Sequence, residues 1–350
     1  MSIKLSVIIP VYNAEPYIKR CMESLLNQTI QDYELIFVND GSTDNSKEII
    51  EEYQKHNRQI ILINQDNKGV SIARNEGLAA AVGEYVGFVD ADDDVEPEMY
   101  QILYAAAVSG DCDVVISNYE SELDGHYIIT SYPFPSEVVL TEGEIQKQIL
   151  PFFLKSDQLN TACNKIYRKL LIQEHEIVFP ANVALGEDGM FNIFFFSHAK
   201  KLKYIDYTGY HYRETKESAT RNVSKKDYFQ RAIEVYKSEL PLCYSNLISE
   251  VNIQQFKAIK LIHSVLAYIH IYLEPSANMP FKDKTHYVKR MILHHDVREA
   301  LPIYSKEMNE ELGKYQKALL YLIDQKSLLG IYLITAYSRY RNRKVRGITI

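Results

Sequence analysis

Apolar positions in the first ninety residues alternate between continuous runs and segments with helical spacing. The runs are typical of strands buried on both faces, and the spaced segments of helices with one apolar stripe. The predicted strands are residues 5–11, 34–38, 60–63, 84–89 and, less regularly spaced, 113–117. The predicted helices are residues 16–27, 42–54 and 70–82. Alternating strands and helices with short loops predict parallel βαβ units in an open twisted sheet.

Polar or turn-forming residues follow each of the first four predicted strands. In open α/β sheets, ligands bind at the carboxyl ends of the strands, so these loops are where we expect the chemistry. They are Tyr12-Asn13, Asn39-Asp40-Gly41, Asn64-Gln65-Asp66-Asn67 and Asp90-Ala91-Asp92.

The rest of the chain changes from mixed to helical spacing. A hairpin is predicted at residues 119–131, and Thr141 to Glu144 forms a capping box opening a helix to about residue 155. Residues 186–198 have a helical pattern and 201–213 a strand pattern. From about residue 225, apolar positions step by three and four, which predicts a helical second domain. The predicted domains are residues 1–220 and 221–350.

Composition and charge narrow the class of protein. The chain has 350 residues, 46% hydrophobic and 24% charged, as in a soluble globular protein. The net charge of -7 argues against general nucleic-acid binding. The four cysteines form no CxxC pair, which argues against a zinc ribbon and suits the reduced thiols of a cytoplasm. No signal peptide and no apolar run of spanning length is visible, so we expect a cytoplasmic protein.

The last part of the chain is basic. Residues 325–350 contain no acid and six Lys or Arg side chains. Within them, residues 328–336 are apolar but too short to span a membrane, and residues 339–346 are basic. This pattern fits a peripheral anchor on the inner face of the cell membrane, and it fits equally a last core helix with a basic end.

Four carboxylates lie within five residues after the fourth predicted strand, at Asp90, Asp92, Asp93 and Asp94. Such carboxylates repel one another, so a fold that gathers them usually supplies a cation. Hard oxygen ligands suit Mg²⁺ or Mn²⁺, which also bind phosphate oxygens. A solvated acidic turn remains the alternative for Asp93 and Asp94. No GxGxxG motif follows a strand and no GxxxxGK[ST] motif occurs, so a dinucleotide Rossmann enzyme and a P-loop enzyme are unsupported.

Five segments together resemble the inverting family 2 glycosyltransferases. They are VIIPVYNAEPYI (7–18), FVNDGSTDNS (37–46), NKGVSIARNEGL (67–78), GEYVGFVDADDD (83–94) and GEDGMF (186–191). The resemblance covers about residues 1–220. It implies the GT-A fold, an α/β fold with a Rossmann-like, mostly parallel sheet flanked by helices, here with a C-terminal, mainly helical domain.

The resemblance assigns the nucleotide-binding residues. Pro10 and Tyr12 resemble the wall around the base, and Asp40 resembles the acid that binds the base or ribose. Asn67 and Arg74 resemble residues near the nucleotide and its phosphates.

The resemblance also assigns the acids. Asp90-Ala91-Asp92 resembles the DxD element, in which Asp90 would contact ribose or metal and Asp92 would bind the Mn²⁺ or Mg²⁺ that bridges both phosphates. Asp188, beside Glu187, resembles the general base that inverting transfer requires. An ordinary acid at a helix N-terminus is the alternative for this pair.

Three further residues resemble the strand and loop that follow the base. They are His211, Arg213 and Ser218, and Arg213 is suited to holding a phosphate or the acceptor. A structural surface strand fits them equally. The pair His294-His295 is interpreted as a solvated helix face, because no acid or thiolate is spaced to complete a metal site.

The predicted function is therefore transfer of a sugar from a nucleoside-diphosphate sugar, with UDP as the expected nucleotide. The expected acceptor is a hydroxyl of a glycan or a lipid-linked glycan, as in bacterial surface-polysaccharide synthesis. Two alternatives stay open: a nucleotidyltransferase, and a non-catalytic sugar-nucleotide-binding protein.

Overall fold

The computed structural model describes residues 2–123, 125–181, 186–213, 227–275 and 279–345. The chain divides into two compact units. The first comprises Met1–Ser218 together with Pro241–Leu247, and the second comprises Ala219–Leu240 together with Ile248–Ile350.

One mixed sheet forms the centre of the first unit. Its strands are β1 (Leu5–Val11), β2 (Tyr33–Asp40), β3 (Ile60–Gln65), β4 (Tyr85–Phe88), β5 (Asp94–Val95), β6 (Val114–Leu123), β7 (His126–Thr130), β8 (Val139–Thr141), β9 (Lys165–Arg168) and β10 (Lys201–Tyr212). The strand order is β3-β2-β1-β4-β9-β6-β10-β5, with β7 paired to β6 and β8 paired to β10.

The helices of the first unit flank this sheet. They are α1 (Ile18–Leu26), α2 (Ser46–Gln54), α3 (Val70–Ala80), α4 (Met99–Gly110), α5 (Glu142–Glu144), α6 (Leu150–Lys155), α7 (Lys169–Glu174) and α8 (Glu187–His198). The predicted capping box at Thr141 is confirmed, and a π-helical turn, Ile145–Ile149, continues the helix that it opens.

The parallel part of the sheet agrees with the prediction. β1 pairs in parallel with β2 and β4, and β2 pairs in parallel with β3. Leu5, Val7, Ile8 and Ile9 of β1 have no exposed surface, which explains why this strand is a continuous apolar run. Because the four strands are parallel, their carboxyl ends meet at one edge and bring the four predicted loops together.

Strand β9 corrects the predicted topology. The pattern at residues 113–117 predicted a fifth strand continuing the parallel units, but β9 lies between β4 and β6 and runs antiparallel to both. β10 then pairs in parallel with β6. The predicted fold class, a GT-A type sheet flanked by helices with a C-terminal helical region, is confirmed.

The second unit is helical in its described residues. Its helices are α9 (Tyr228–Lys237), α11 (Glu250–Tyr272), α12 (Phe281–Leu293), α13 (His295–Glu307), α14 (Lys314–Asp324) and α15 (Leu328–Val345). The apolar face of α11 agrees with the predicted helical spacing, and Ile262, Val265 and Ile269 on this helix have no exposed surface. On α15, Ile331 and Thr335 are fully buried, so this helix is part of the core of the second unit. No helix in the described ranges is long and apolar enough to cross a membrane.

A short segment of the first unit lies between two parts of the second unit along the chain. It is Pro241–Leu247 and contains helix α10 (Leu242–Ser245), which packs against α8. Tyr244 of this helix is fully buried, and its hydroxyl donates a hydrogen bond to the carbonyl of Leu150. The first unit therefore includes a segment that lies more than twenty residues beyond the last strand of its sheet.

Candidate active site

Asp40 fixes the loop that follows β3. Its buried carboxylate accepts hydrogen bonds from the backbone N–H groups of Lys68 and Gly69, each at 2.8 Å, and from Nε2 of Gln65 at 2.6 Å. Gly69 has a φ of +90°, a conformation that glycine adopts without strain. The structure thus places Asp40, the predicted base or ribose contact, where it shapes the loop leading into α3, and the predicted contact Asn67 is exposed in that loop.

The predicted base wall lies at the end of β1. Pro10 pairs with Val38 of β2, and Tyr12 is exposed just after the strand. Next to Tyr12, the side-chain oxygen of Asn13 accepts hydrogen bonds from the backbone N–H of Thr43 at 2.8 Å and from its hydroxyl at 3.2 Å. The turns after β1 and β2 are therefore tied together.

Arg74 joins the two predicted acid sites. It lies on α3 and is buried. Its Nη1 donates to Oδ1 of Asp188 at 2.6 Å, and its Nη2 donates to Oδ1 of Asp90 at 2.8 Å. Oε1 of Glu187 lies 3.7 Å from Nη1. One guanidinium thus brings the expected base and the expected metal-binding element into one cluster.

The surroundings of Arg74 keep it charged and in place. Burial alone would lower the pKa of Arg74, but the carboxylates of Asp188 and Asp90 raise it overall. The guanidinium carbon lies 5.2 Å from the centre of the Phe179 ring, a cation–π contact. The neighbouring Asn75 exchanges two hydrogen bonds of 2.8 Å with the backbone of Phe179, which fixes α3 against this segment.

The surroundings of Asp188 raise the pKa of its carboxyl group. Burial is the largest cause and raises the pKa of Asp188 to about 6, while Arg74 lowers it and Asp90 and Glu187 raise it further. Its side chain is 21% exposed, so the carboxylate is still open to solvent. The backbone N–H of Ala162 donates to its Oδ2 at 3.2 Å.

Sequence reasoning missed the loop that carries Ala162. Asn192 of α8 donates to the carbonyl of Asn160 at 2.7 Å and accepts a hydrogen bond of 2.7 Å from the hydroxyl of Tyr167. Nζ of the buried Lys165 donates to the carbonyl of Thr161, and burial lowers the pKa of Lys165 to about 7. The only sequence signal was the polar run NTACNK at residues 160–165.

The four clustered aspartates have different surroundings. Buried Asp93 accepts hydrogen bonds from the hydroxyl of Tyr210 and the backbone N–H of Arg213, and burial together with Asp90 and Asp92 raises its pKa. Asp94 binds the Arg213 guanidinium through both oxygens, at 2.7 and 3.0 Å. Burial raises the pKa of Asp94, but Arg213 lowers it overall. These two acids thus hold β5 and the end of β10 together.

Asp90 and Asp92 provide an oxygen donor set for a divalent cation. Both side chains are partly exposed, whereas Ala91 between them is buried. Within the described ranges, no third ligand closes around them as a preformed cage, so a bound ion would keep positions for phosphate and water, as Mg²⁺ and Mn²⁺ do. Burial is the largest cause of the raised pKa of Asp93, and Asp90 and Asp92 raise it further, so a cation held by these carboxylates would relieve their mutual repulsion and the residues present fit such an ion.

The predicted substrate residues of β10 are held by acids. His211 lies with Nε2 2.9 Å from Glu96 and Nδ1 3.1 Å from Glu120, and Arg213 binds Asp94 as described. These contacts give His211 and Arg213 a structural role at the end of β10, next to the clustered aspartates. Ser218 lies outside the described residues.

The interpretation of His294-His295 was wrong in one respect. Among the described residues, one group of three possible metal ligands is found at His295, Asp296 and Glu299, so acids are placed beside this pair. However, Nζ of Lys237 lies 3.1 Å from Oδ2 of Asp296 and neutralises it. His295 and Glu299 are exposed at the start of α13, and we assign this group no function.

Comparisons with known proteins identify the family of the chain. Residues 6–175 match the model of Glycosyl transferase family 2. The chain is 37% identical over 216 residues to the uncharacterized glycosyltransferase EpsJ of Bacillus subtilis, covering 62% of each chain. It is 31% identical over 248 residues to the glycosyltransferase GlyG of Streptococcus pneumoniae, covering 69% of this chain and 81% of GlyG. The chain belongs to glycosyltransferase family 2.

Solved structures show the same fold. The crystal structure of S. aureus TarS 1-349 in complex with UDP-GlcNAc superposes with a TM-score of 0.64 at 20% identity, covering 97% of this chain and 92% of that one.

Proposed function

We propose that this glycosyltransferase moves one hexose from a nucleoside-diphosphate sugar to an acceptor hydroxyl with inversion at the anomeric carbon. The observation that supports this most directly is the bridge from Asp90 through Arg74 to Asp188. It holds Asp90, a proposed metal ligand, and Asp188, a separate acid with a raised pKa, in one cluster, and inverting transfer needs both kinds of acid.

Asp188 would perform the proton transfer. The acceptor oxygen attacks the anomeric carbon from the face opposite the nucleoside diphosphate, and its proton passes to the Asp188 carboxylate as the bond to the diphosphate oxygen breaks. Oδ2 is the better acceptor atom, because its contact with Ala162 is 3.2 Å, whereas Oδ1 holds Arg74 at 2.6 Å. Arg74 fixes the carboxylate and opposes the rise in its pKa.

The rest of the cluster would bind the donor. Asp90 and Asp92 would hold the divalent ion, Mn²⁺ or Mg²⁺, which when bound neutralises charge on the leaving diphosphate. Pro10 and Tyr12 would border the base, and the loop fixed by Asp40, with Asn67, would border the ribose and phosphates. UDP is the proposed nucleotide; TarS has been solved in complex with UDP-GlcNAc. A glycan or a lipid-linked glycan is the proposed acceptor.

The test is a panel of nucleotide sugars incubated with the protein and Mn²⁺, first without acceptor. Release of the nucleoside diphosphate from one donor supports the proposal, and the anomeric configuration of a product formed with an added acceptor reports inversion. Release of pyrophosphate with transfer of the nucleotide would instead identify a nucleotidyltransferase. Tight donor binding with no turnover under any of these conditions would identify a non-catalytic binding protein.

A further inference from the structure

Helix α15 carries an exposed apolar face opposite its buried one. Ile331 and Thr335 are fully buried, but four large side chains on the other side are 57–70% exposed. Their spacing of four, four and three residues places them on one face of the helix, over about 16 Å at 1.5 Å per residue. We call these residues the α15 stripe: Leu329, Leu333, Tyr337 and Tyr340.

Basic residues flank the α15 stripe along the chain. Residues 325–350 contain six Lys or Arg and no acid, although the whole chain has a net charge of -7. Lys326 lies exposed just before the helix, and Arg341 lies exposed directly after Tyr340. A single exposed leucine needs no explanation, but a contiguous apolar face on a cationic segment is typical of an interaction surface.

The chemistry of this face selects its partner. Leucines favour an apolar interior, tyrosines favour the level of lipid headgroups, and cations favour anionic headgroups. Pairing of two copies stripe to stripe would instead bring two acid-free basic segments together, which repel. We propose that the α15 stripe docks the protein on the surface of an anionic lipid bilayer.

This docking is peripheral. The leucines would enter the boundary between headgroups and acyl chains while the buried face of α15 stays in the core of its unit. Each Lys or Arg near an anionic surface would strengthen binding about fivefold, and salt would weaken that part of the binding. The proposal does not depend on the proposed donor or mechanism, because it is tested without substrate.

The experiment is flotation of the full chain with vesicles of phosphatidylglycerol and phosphatidylcholine. The wild type should float, and L329S/L333S should lose about tenfold or more in partitioning, because two apolar side chains no longer leave water. Matched control changes, L170S/L242S, remove two leucines of similar exposure (58% and 79%) from the first unit and should leave flotation unchanged. Circular dichroism checks that each variant melts as the wild type does.

A charge variant tests the second half of the proposal. R341E changes an exposed side chain beside the stripe and should weaken flotation with anionic vesicles, as should higher salt or vesicles of phosphatidylcholine alone. Unchanged flotation of folded L329S/L333S would overturn the proposal, and so would equal flotation with neutral vesicles. Light scattering measures whether the L329S/L333S changes dissociate an oligomer. If they did, and the wild-type protein did not float with vesicles, the α15 stripe would be an interface between copies and the proposal would be wrong.

Discussion

Individual side chains set the chemistry around Asp90 and Asp188, and Arg74 is the residue whose contacts the sequence did not predict. The motif assigns it a place near the phosphates, which stays a prediction, and the structure shows that its side chain binds Asp188, 114 residues away, and Asp90. No local pattern encodes a contact over such a distance. The acids themselves were visible, because carboxylates that follow an apolar strand or open an apolar helix stand out in a sequence.

Replacing Asp188 with Asn should abolish transfer and leave donor binding intact. The amide keeps the shape of the side chain but cannot take up the acceptor proton, so turnover should fall by about 10²–10⁴-fold. Turnover assays with calorimetry of the donor nucleotide measure the two effects separately. The matched control is D283N, since Asp283 also lies in the first turn of a helix. Normal turnover in D188N would remove Asp188 as the base and direct attention to Glu187.

The pH dependence of kcat/KM should report the same carboxylate. Because the pKa of Asp188 is raised to about 6, the base is protonated below that value, so activity should fall as the pH falls through about 6 and be complete above it. In R74Q a nearby positive charge is lost, so the pH at which activity falls should rise by about 1–3 pH units. R168Q, which removes an ion-paired arginine elsewhere in the unit, is the control. If activity fell at the same pH in R74Q as in the wild type, the assignment of Asp188 as the titrating base would be contradicted.

Asp92 should govern metal-dependent binding of the nucleotide. D92A removes one of the two proposed oxygen ligands, so the gain in UDP affinity on adding Mn²⁺ should disappear, together with turnover. Calorimetry with and without the metal measures this directly, and D111A, a change at an exposed aspartate, serves as the control. If the metal effect persists in D92A, the ion is bound elsewhere.

At the scale of elements, long periodic segments were predictable and short ones were not. β1, α3 and α8 were predicted to within two residues of their ends, because burial makes β1 a continuous apolar run and gives each of the two helices a buried face. β9 has only four residues, KIYR, and its position between β4 and β6 depends on pairing with strands distant in sequence. Helix α2 begins at Ser46 rather than near Ser42, because the residues before Ser46 bond to the turn after β1 instead. The hydroxyl of Ser42 accepts a hydrogen bond from the backbone N–H of Asn13, and the backbone N–H of Asn45 donates one to the carboxylate of Glu15.

The close approach of α3 to β1 should be sensitive to a single methyl group. A Cβ at Gly77 would lie 2.3 Å from Cγ2 of Ile8, and Gly77 is one turn beyond Arg74. G77A should therefore push the helix outward, at a cost of about 1–3 kcal/mol in the free energy of unfolding, and weaken donor binding by displacing Arg74. Chemical denaturation and calorimetry measure both. G143A, where the methyl group meets open space, should be neutral, and an equally neutral G77A would show that α3 is not packed this tightly.

For the whole molecule, the role of the C-terminal segment was the open question. The sequence fitted a core helix and a membrane anchor equally. Both need an apolar face, so the pattern of apolar residues does not distinguish them. The structure shows that α15 has one face in the core of its unit and one exposed face, and the membrane role proposed for the exposed face stays a prediction.

Deleting residues 328–350 should consequently unfold or precipitate the second unit rather than cleanly release the protein from lipid. The deletion removes Ile331 from the core that also contains Leu319 and Ile323 of α14, a helix that packs against α15. Calorimetry should show a lost or lowered transition. The control deletion removes only residues 346–350 and should melt normally. A soluble 328–350 deletion with an unchanged transition would show that α15 is dispensable for the core.

Segment Pro241–Leu247 has a consequence for how such proteins can be recombined. A chimera that joins this catalytic unit to a foreign C-terminal unit cannot use a single crossover near residue 218, since the fragment would lack Tyr244. The hydroxyl of Tyr244 also donates a hydrogen bond to the carbonyl of Leu150. Losing this side chain would lower the free energy of unfolding by about 3–5 kcal/mol, as is typical for a large buried aromatic residue. Any exchange of units, by an engineer or by gene fusion, has to keep these seven residues with the first unit, where α10 packs against α8.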